Sequence, residues 1–302
     1  MFPLLSSVGG KAQGVEVLLS TGRKIKIQAK VTVASAGSIH TPALLLRSKI
    51  PNSNVGKHLR IHPVTPVAGI TSKNNTQPFA GCIMSWYSDQ VGNLDGRGYG
   101  GKLENPAVHP GSFSVAIPWN TPQEFKHRAA FFNHSVFGIV IARDRDSGTV
   151  KIDKKGAPRI YYPLSEFDRN SVLDGALECI RILVAEGVGE IYTGCELLPT
   201  LKPKSTDVNA PEVKRYLEEL RRLGLQDFRL PMFSAHQMGS CRMGSSPKTS
   251  VIDANGESWE VKNLFVADAS TFPTASGVNP MITTEAISHY IAQRIKDKLG
   301  KV

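Results

Sequence analysis

The sequence predicts a mixed α/β (α+β) protein, on three observations. Short alternating or β-branched runs bounded by glycine turns recur within the first 35 residues and again at 137–162. Long helical periodicities occupy 165–187, 212–223 and 283–299. At 31–48 a buried strand passes through a glycine turn into a helix, the geometry that α/β proteins use near nucleotide ligands.

Taken in order, residues 15–20 and 23–28 form a β-hairpin around Thr21-Gly22, and residues 31–34 make a third strand. After the break at Gly37, Thr41 is expected to cap a helix with Pro42 at its first position. Residues 63–120 are rich in Gly and Pro, and the five glycines of 92–101 predict a loop or lid. Three strands at 137–142, 148–152 and 159–162 read as an antiparallel meander. Ser165 and Asp168 occupy capping-box positions for the helix that stops at Gly187. Towards the end, 264–267 is a buried strand, and Pro280 and Thr283 mark the start of an amphipathic helix.

The 302 residues suffice for one or two domains with a sizeable core. Net charge is +10, but the Lys and Arg residues are scattered, and neither a basic stripe nor a nucleic-acid reading motif is present. Nucleic acid is therefore not an expected partner. Cys82, Cys179, Cys195 and Cys241 have no CxxC spacing and read as buried free thiols. There is no secretory pattern at residues 1–10 and no run of about 18 apolar residues, so the chain as it stands reads as soluble or peripheral. His58 and His62 stand four apart without a third ligand; a metal is not expected, and His62-Pro63 reads as a structural turn. Glu104 reads as a solvated loop carboxylate that could approach a pocket, and Cys241 as packing.

Five segments occur in a telling order: 36–48, containing Thr-Pro-Ala-Leu-Leu-Leu-Arg-Ser; 55–63, Val-Gly-Lys-His-Leu-Arg-Ile-His-Pro; 234–244, Ser-Ala-His-Gln-Met-Gly-Ser-Cys-Arg-Met-Gly; 266–270, Val-Ala-Asp-Ala-Ser; and 279–283, Asn-Pro-Met-Ile-Thr. Together they resemble the glucose-methanol-choline (GMC) oxidoreductases, a family of flavoenzymes, and within it the long-chain (fatty) alcohol oxidases. The resemblance implies a partial FAD-binding domain built from both ends of the chain, residues 1–63 and 230–302. An inserted substrate domain of antiparallel sheet plus helices would occupy 64–229. The family's GxGxxG fingerprint, which holds the FAD pyrophosphate, is absent from these residues, so the resemblance implies the C-terminal part of a longer enzyme.

It also implies the chemistry. His236 would accept the hydroxyl proton of an alcohol, an imidazole being suited to that task near neutral pH. Asn279 would hold the substrate oxygen, where many family members carry a second His. Gly37, Asp268, Ala269, Asn279, Pro280 and Met281 would meet FAD. A long-chain alcohol and O2 are the implied partners, with aldehyde and H2O2 as products. Membrane association of the full-length protein is implied by the family, while compartment and oligomeric state are not assigned. Two other readings stay open at the level of sequence: a non-catalytic fragment or binding module, and another GMC activity such as sterol oxidase or hydroxynitrile lyase.

Overall fold

A computed structural model describes residues 3–72, 75–80, 82–225 and 230–300. The chain is a mixed helix-and-sheet protein that divides into two compact units, Met1–His62 with Asp144–Leu164 and Ala235–Val302, and Pro63–Arg143 with Ser165–Ser234.

In the first unit, β1 (Leu4–Val8), β2 (Lys11–Leu18) and β3 (Lys24–Gln28) form an antiparallel sheet in the order β1-β2-β3. The expected hairpin is its β2–β3 half, and β1 is an addition. Next, β4 (Thr32–Ala34) pairs in parallel with β12 (Leu264–Val266), Thr32 opposite Leu264 and Ala34 opposite Val266. Ala34, Leu264 and Val266 of this pair are buried with Leu45, Ile50, Val55, Cys241, Val251 and Ile252, whereas Val33 is exposed. Because the two strands run the same way, the residues after them, Gly37 and Asp268, emerge at the same end. In open α/β sheets that is the end at which ligands collect.

Helix α1 (Gly37–Arg47) begins five residues earlier than the sequence suggested. Gly37 adopts φ +76, a left-handed turn that costs glycine little, and the helix starts there. Thr41 is therefore no cap: its hydroxyl donates to Asp268 Oδ2 at 2.6 Å and accepts from the Ala36 amide at 2.8 Å. Pro42 lies inside the helix rather than at its first position, so the Ser38 carbonyl loses its intrahelical donor. The Ser240 hydroxyl replaces it at 2.6 Å, which is how an internal proline is tolerated there.

The expected meander is also revised. β8 (Ser135–Arg143) belongs to the second unit, whereas β9 (Thr149–Ile152) and β10 (Pro158–Tyr161) form a separate hairpin in the first. Residues 144–164 thus pack with the first unit, although sequence order grouped them with the middle of the chain. The cause is competition for β9. Gly56 donates no side chain and lies so close to Val150 that a Cβ there would stand 2.1 Å from its carbonyl oxygen, and the Val150 amide bonds the Gly56 carbonyl at 2.7 Å.

The second unit is built on a five-stranded antiparallel sheet in the order β11-β5-β8-β7-β6, with β5 Val64–Ile70, β6 Tyr87–Ser88, β7 Gly100–Glu104 and β11 Glu190–Thr193. The glycine-rich 92–101 stretch forms turns and bends up to the start of β7 at Gly100, as expected of a loop. Two short helices, α2 (Pro110–Ala116) and α3 (Pro122–Ala130), precede β8. Helix α4 (Glu166–Ala185) packs Val172, Leu173, Ala176, Leu177, Ile180 and Val184 into the sheet, and α5 (Pro211–Leu223) adds Val213, Leu217 and Leu220. Ser165 caps α4 by accepting from the Asp168 amide. The second half of the capping box is altered, since the Asp168 carboxylate accepts from the Ser165 hydroxyl. Glu104 is buried in β7 rather than solvated. Cys82 is exposed, while Cys179, Cys195 and Cys241 are buried. Helix α6 (Met281–Leu299) closes the first unit. Among the described residues no helix is long and apolar enough to cross a membrane.

Candidate active site

His236 sits on a segment held from both sides. Arg60 and Met238 exchange backbone hydrogen bonds at 2.8 Å, and the amides of Gly239, Cys241 and Met243 donate to the carbonyls of Ala269, Ser270 and Thr271 at 2.8–3.0 Å. Gly239 is required at the centre: it has φ +84, and a Cβ would meet the His58 carbonyl oxygen at 2.7 Å and that of Phe272 at 3.3 Å. The strand-like ladder fixes the backbone just after His236, and the Ser38 hydroxyl donates to the Gln237 carbonyl at 2.8 Å.

The His236 ring is half-buried. Its Nδ1 lies 3.2 Å from Nδ1 of His62, with the two rings edge-on at 90°. Its Nε2 has no hydrogen-bond partner among the described residues, so it is the ring atom available to a ligand. Burial pushes the imidazole below its usual value, which keeps the ring neutral at neutral pH.

His62 is not the plain turn that the sequence suggested. It is fully buried, has φ +47 and accepts at Nε2 from the Gly277 amide at 3.2 Å. The buried carboxylate of Asp144 accepts from the amides of Ile61 at 2.8 Å and His62 at 3.2 Å, and from the Tyr162 hydroxyl at 2.8 Å. Burial pushes the Asp144 carboxyl up, and these donors pull it back toward the carboxylate form. Through Gly277, the His pair meets the segment that carries Asn279, itself half-buried. Neither His62 nor Asp144 was singled out from sequence as a site residue. The only local signal is the adjacency of Ile61-His62 to Pro63, which does not reveal a partner 174 residues away.

The residues expected to meet a cofactor divide into two groups. Gly37 and Asp268 satisfy each other: Asp268 Oδ2 accepts from the Gly37 amide at 2.9 Å and the Thr41 hydroxyl at 2.6 Å, and Oδ1 from the Ser270 amide at 2.8 Å. They lock the ends of the parallel strand pair. Ala269 bonds the Gly239 amide through its carbonyl and is partly buried beside Met238 and Phe272. Pro280 caps α6 without any side-chain hydrogen bond, so the first-turn amides at Met281 and Ile282 lack an intrahelical acceptor. Around them Val278, Met281 and Ile282 expose 48%, 65% and 67% of their surface. Donor amides thus lie beside uncovered apolar side chains.

His58 carries a separate consequence. Burial, then Arg242, Arg60 and Lys57, hold its imidazole down to about 4. The unfolded chain regains an ordinary His near 6.5, so between 6.5 and about 4 it binds a proton that the folded chain does not. Stability is therefore fully present above 6.5, falls as pH drops through that window and levels off below it, with His236 acting in the same direction. Urea melts at stepped pH should show this slope, and His58→Asn, which tolerates the left-handed φ of +64, should flatten it. An unchanged slope in that variant would remove His58 as the cause.

Two family models described as GMC oxidoreductase match this chain, one over residues 4–64 and one over residues 144–288, together more than half of it. The chain belongs to the GMC oxidoreductase family. FAD is the cofactor of that family. Among curated proteins it is 36% identical over 301 residues to the long-chain-alcohol oxidase FAO4A of Arabidopsis thaliana, covering 97% of this chain and 41% of that protein. To the Arabidopsis thaliana long-chain-alcohol oxidase FAO3 it is 37% identical over 287 residues, covering 90% of this chain and 37% of the relative. The chain thus spans well under half the length of these relatives. Among solved structures, pyridoxine 4-oxidase from Mesorbium loti superposes with a TM-score of 0.64 at 19% identity, covering 96% of this chain and 56% of that one. Formate oxidase from Aspergillus oryzae gives 0.67 at 16% identity, covering 95% and 58%. These two share the fold.

The start of α6 fits a flavin. The first-turn amides, without an acceptor among the described residues, complement the polar edge of an isoalloxazine ring, and the uncovered Val278, Met281 and Ile282 complement its flat apolar face. No residue described here offers a glycine cradle for the pyrophosphate.

Proposed function

We propose that this chain forms the alcohol-oxidising part of an FAD-dependent oxidase that converts long-chain primary alcohols to aldehydes with reduction of O2 to H2O2. The observation that carries the reading is His236: a neutral ring gripped at Nδ1 by a buried His62, with Nε2 unpartnered among the described residues. Likeness to the long-chain-alcohol oxidases over nearly the whole chain supports the substrate class.

In this reading His236 removes the hydroxyl proton and Asn279 holds the carbinol oxygen through its side-chain amide. Ala269, Asn279, Pro280 and Met281 would meet the FAD ring, and Gly37 and Asp268 would act as the frame that ties the strand ends together. When bound, FAD supplies the acceptor for the carbinol hydride and the site at which O2 is reduced. Burial of the His236 environment keeps the ring neutral, so that it accepts one proton once its Nε2 presents a lone pair. The first unit, residues 1–62, 144–164 and 235–302, serves the cofactor, and the second, 63–143 with 165–234, the alcohol.

The test is the FAD-loaded protein that carries this chain, given hexadecanol in air. Aldehyde and H2O2 formed in equal amounts are the expected result. A flavin-loaded protein that produces neither with any long-chain alcohol would overturn the reading.

A further inference from the structure

We propose that His62 is a positioning residue that dictates which nitrogen of His236 carries hydrogen, holding the resting His236 as its Nε2–H tautomer. This rests on the reading of His236 as the residue that handles the alcohol proton. One group at the His pair has a fixed hydrogen-bonding role. A peptide N–H donates and never accepts, so the Gly277 amide, 3.2 Å from His62 Nε2, shows that this nitrogen carries no hydrogen. A neutral His62 then carries its hydrogen on Nδ1. That atom is 3.2 Å from His236 Nδ1, so His62 donates and His236 accepts. The hydrogen of a neutral His236 is left on Nε2.

His62 is held so that it does not turn away. It has no exposed surface and sits at φ +47, in a left-handed conformation that a non-glycine residue adopts at a cost. Asp144 offsets that cost by accepting from two successive amides, Ile61 and His62, while Tyr162 anchors the carboxylate from the other side. Among the described residues His62 is the titratable side chain that touches the His236 ring; Asp144 stands behind it through the backbone, and Arg60 engages the carbonyls of His58 and Arg145.

Two chemical consequences follow. Protonating His236 at Nδ1 would set N–H against N–H at the His62 contact, so the pair opposes an imidazolium beyond the effect of burial. In addition, the resting ring offers the alcohol oxygen a donor. To offer a lone pair instead, the pair must exchange tautomers: His236 loses the hydrogen on Nε2 and gains one on Nδ1, while His62 loses its Nδ1 hydrogen and gains one on Nε2. The proton count is unchanged, and the Gly277 amide must leave His62 Nε2. Base competence is thereby coupled to the position of the 277–281 segment, which carries Asn279 and leads into α6.

The ring nitrogens can be read directly. In protein labelled with 15N-histidine, two-bond 1H–15N spectra above pH 7 should show His236 with an unprotonated Nδ1 and a protonated Nε2, and His62 with the reverse, each assigned by deleting the other. In His62→Phe, His236 should become a mixture of tautomers and its titration midpoint should move up toward 6.5. His62→Asn, which returns an amide donor near the position of Nδ1, should restore the single tautomer. A protonated Nδ1 on His236 in the parent protein would overturn the proposal whether or not the variants fold, as would an unchanged tautomer ratio in a folded His62→Phe. These spectra need no turnover: the expected pattern in a protein that oxidises no alcohol would defeat the functional reading and leave this inference standing, and the opposite outcome would do the reverse.

Discussion

His236→Ala, in the FAD-loaded protein, should lower kcat/KM for a long-chain alcohol by about 10²- to 10⁴-fold, the range over which a positioned acid–base group accelerates proton transfer. The loss should fall mainly on kcat, because the imidazole is needed when the hydroxyl proton leaves rather than when the chain of the alcohol binds. The fold should survive: His236 is half-buried, and the backbone after it is held by main-chain bonds to Arg60, Ala269 and Ser270 that alanine retains. Flavin content and melting midpoint equal to those of the parent would separate a chemical defect from a structural one. A variant with full turnover would show that another group takes the proton.

The largest effect on stability is expected at Asp268. Its carboxylate joins the ends of two strands and the start of a helix by accepting from the Gly37 amide, the Thr41 hydroxyl and the Ser270 amide, at a position 9% exposed. Asp268→Ala leaves these donors without an acceptor in a buried place, at about 1–3 kcal/mol for each unsatisfied group before relaxation. A total loss of about 3–5 kcal/mol is expected, which is a large share of the stability of an ordinary domain. Asp268→Asn retains one acceptor oxygen but turns an amide toward donors, so an intermediate loss should appear in urea melts. If both variants melted as the parent does, the carboxylate would not be the lock between β4, β12 and α1.

What could be read from the sequence followed from local pattern. The mixed fold, the β2–β3 hairpin, α4, α5 and the strand-to-helix passage at Gly37 all rest on periodicity and turn residues within a few positions of one another, and these survive in the structure. The errors came where distant segments compete. Thr41-Pro42 has the local form of a helix start, yet a glycine four residues earlier can begin the helix, and Asp268 and Ser240, more than 195 positions away, satisfy the groups this leaves. The 137–162 strands look like a meander because they are consecutive, but Gly56 claims the edge of β9. The central site shows the same division. His236 and Asn279 stand in a recognisable order of motifs, whereas the function-bearing feature of His62 is a left-handed backbone pinned by Asp144, and side-chain identity alone does not encode that.

The central claim is that neutral His236 receives the alcohol proton, and the pH dependence of anaerobic flavin bleaching by hexadecanol in single turnover tests it most directly. Because burial holds the imidazole below its ordinary value, the bleaching rate should stay constant at neutral pH and fall only on an acid limb below 6.5, as His236 becomes protonated. That limb should be absent from the slow residual reaction of His236→Ala. An acid limb of the same midpoint in both proteins would contradict the account.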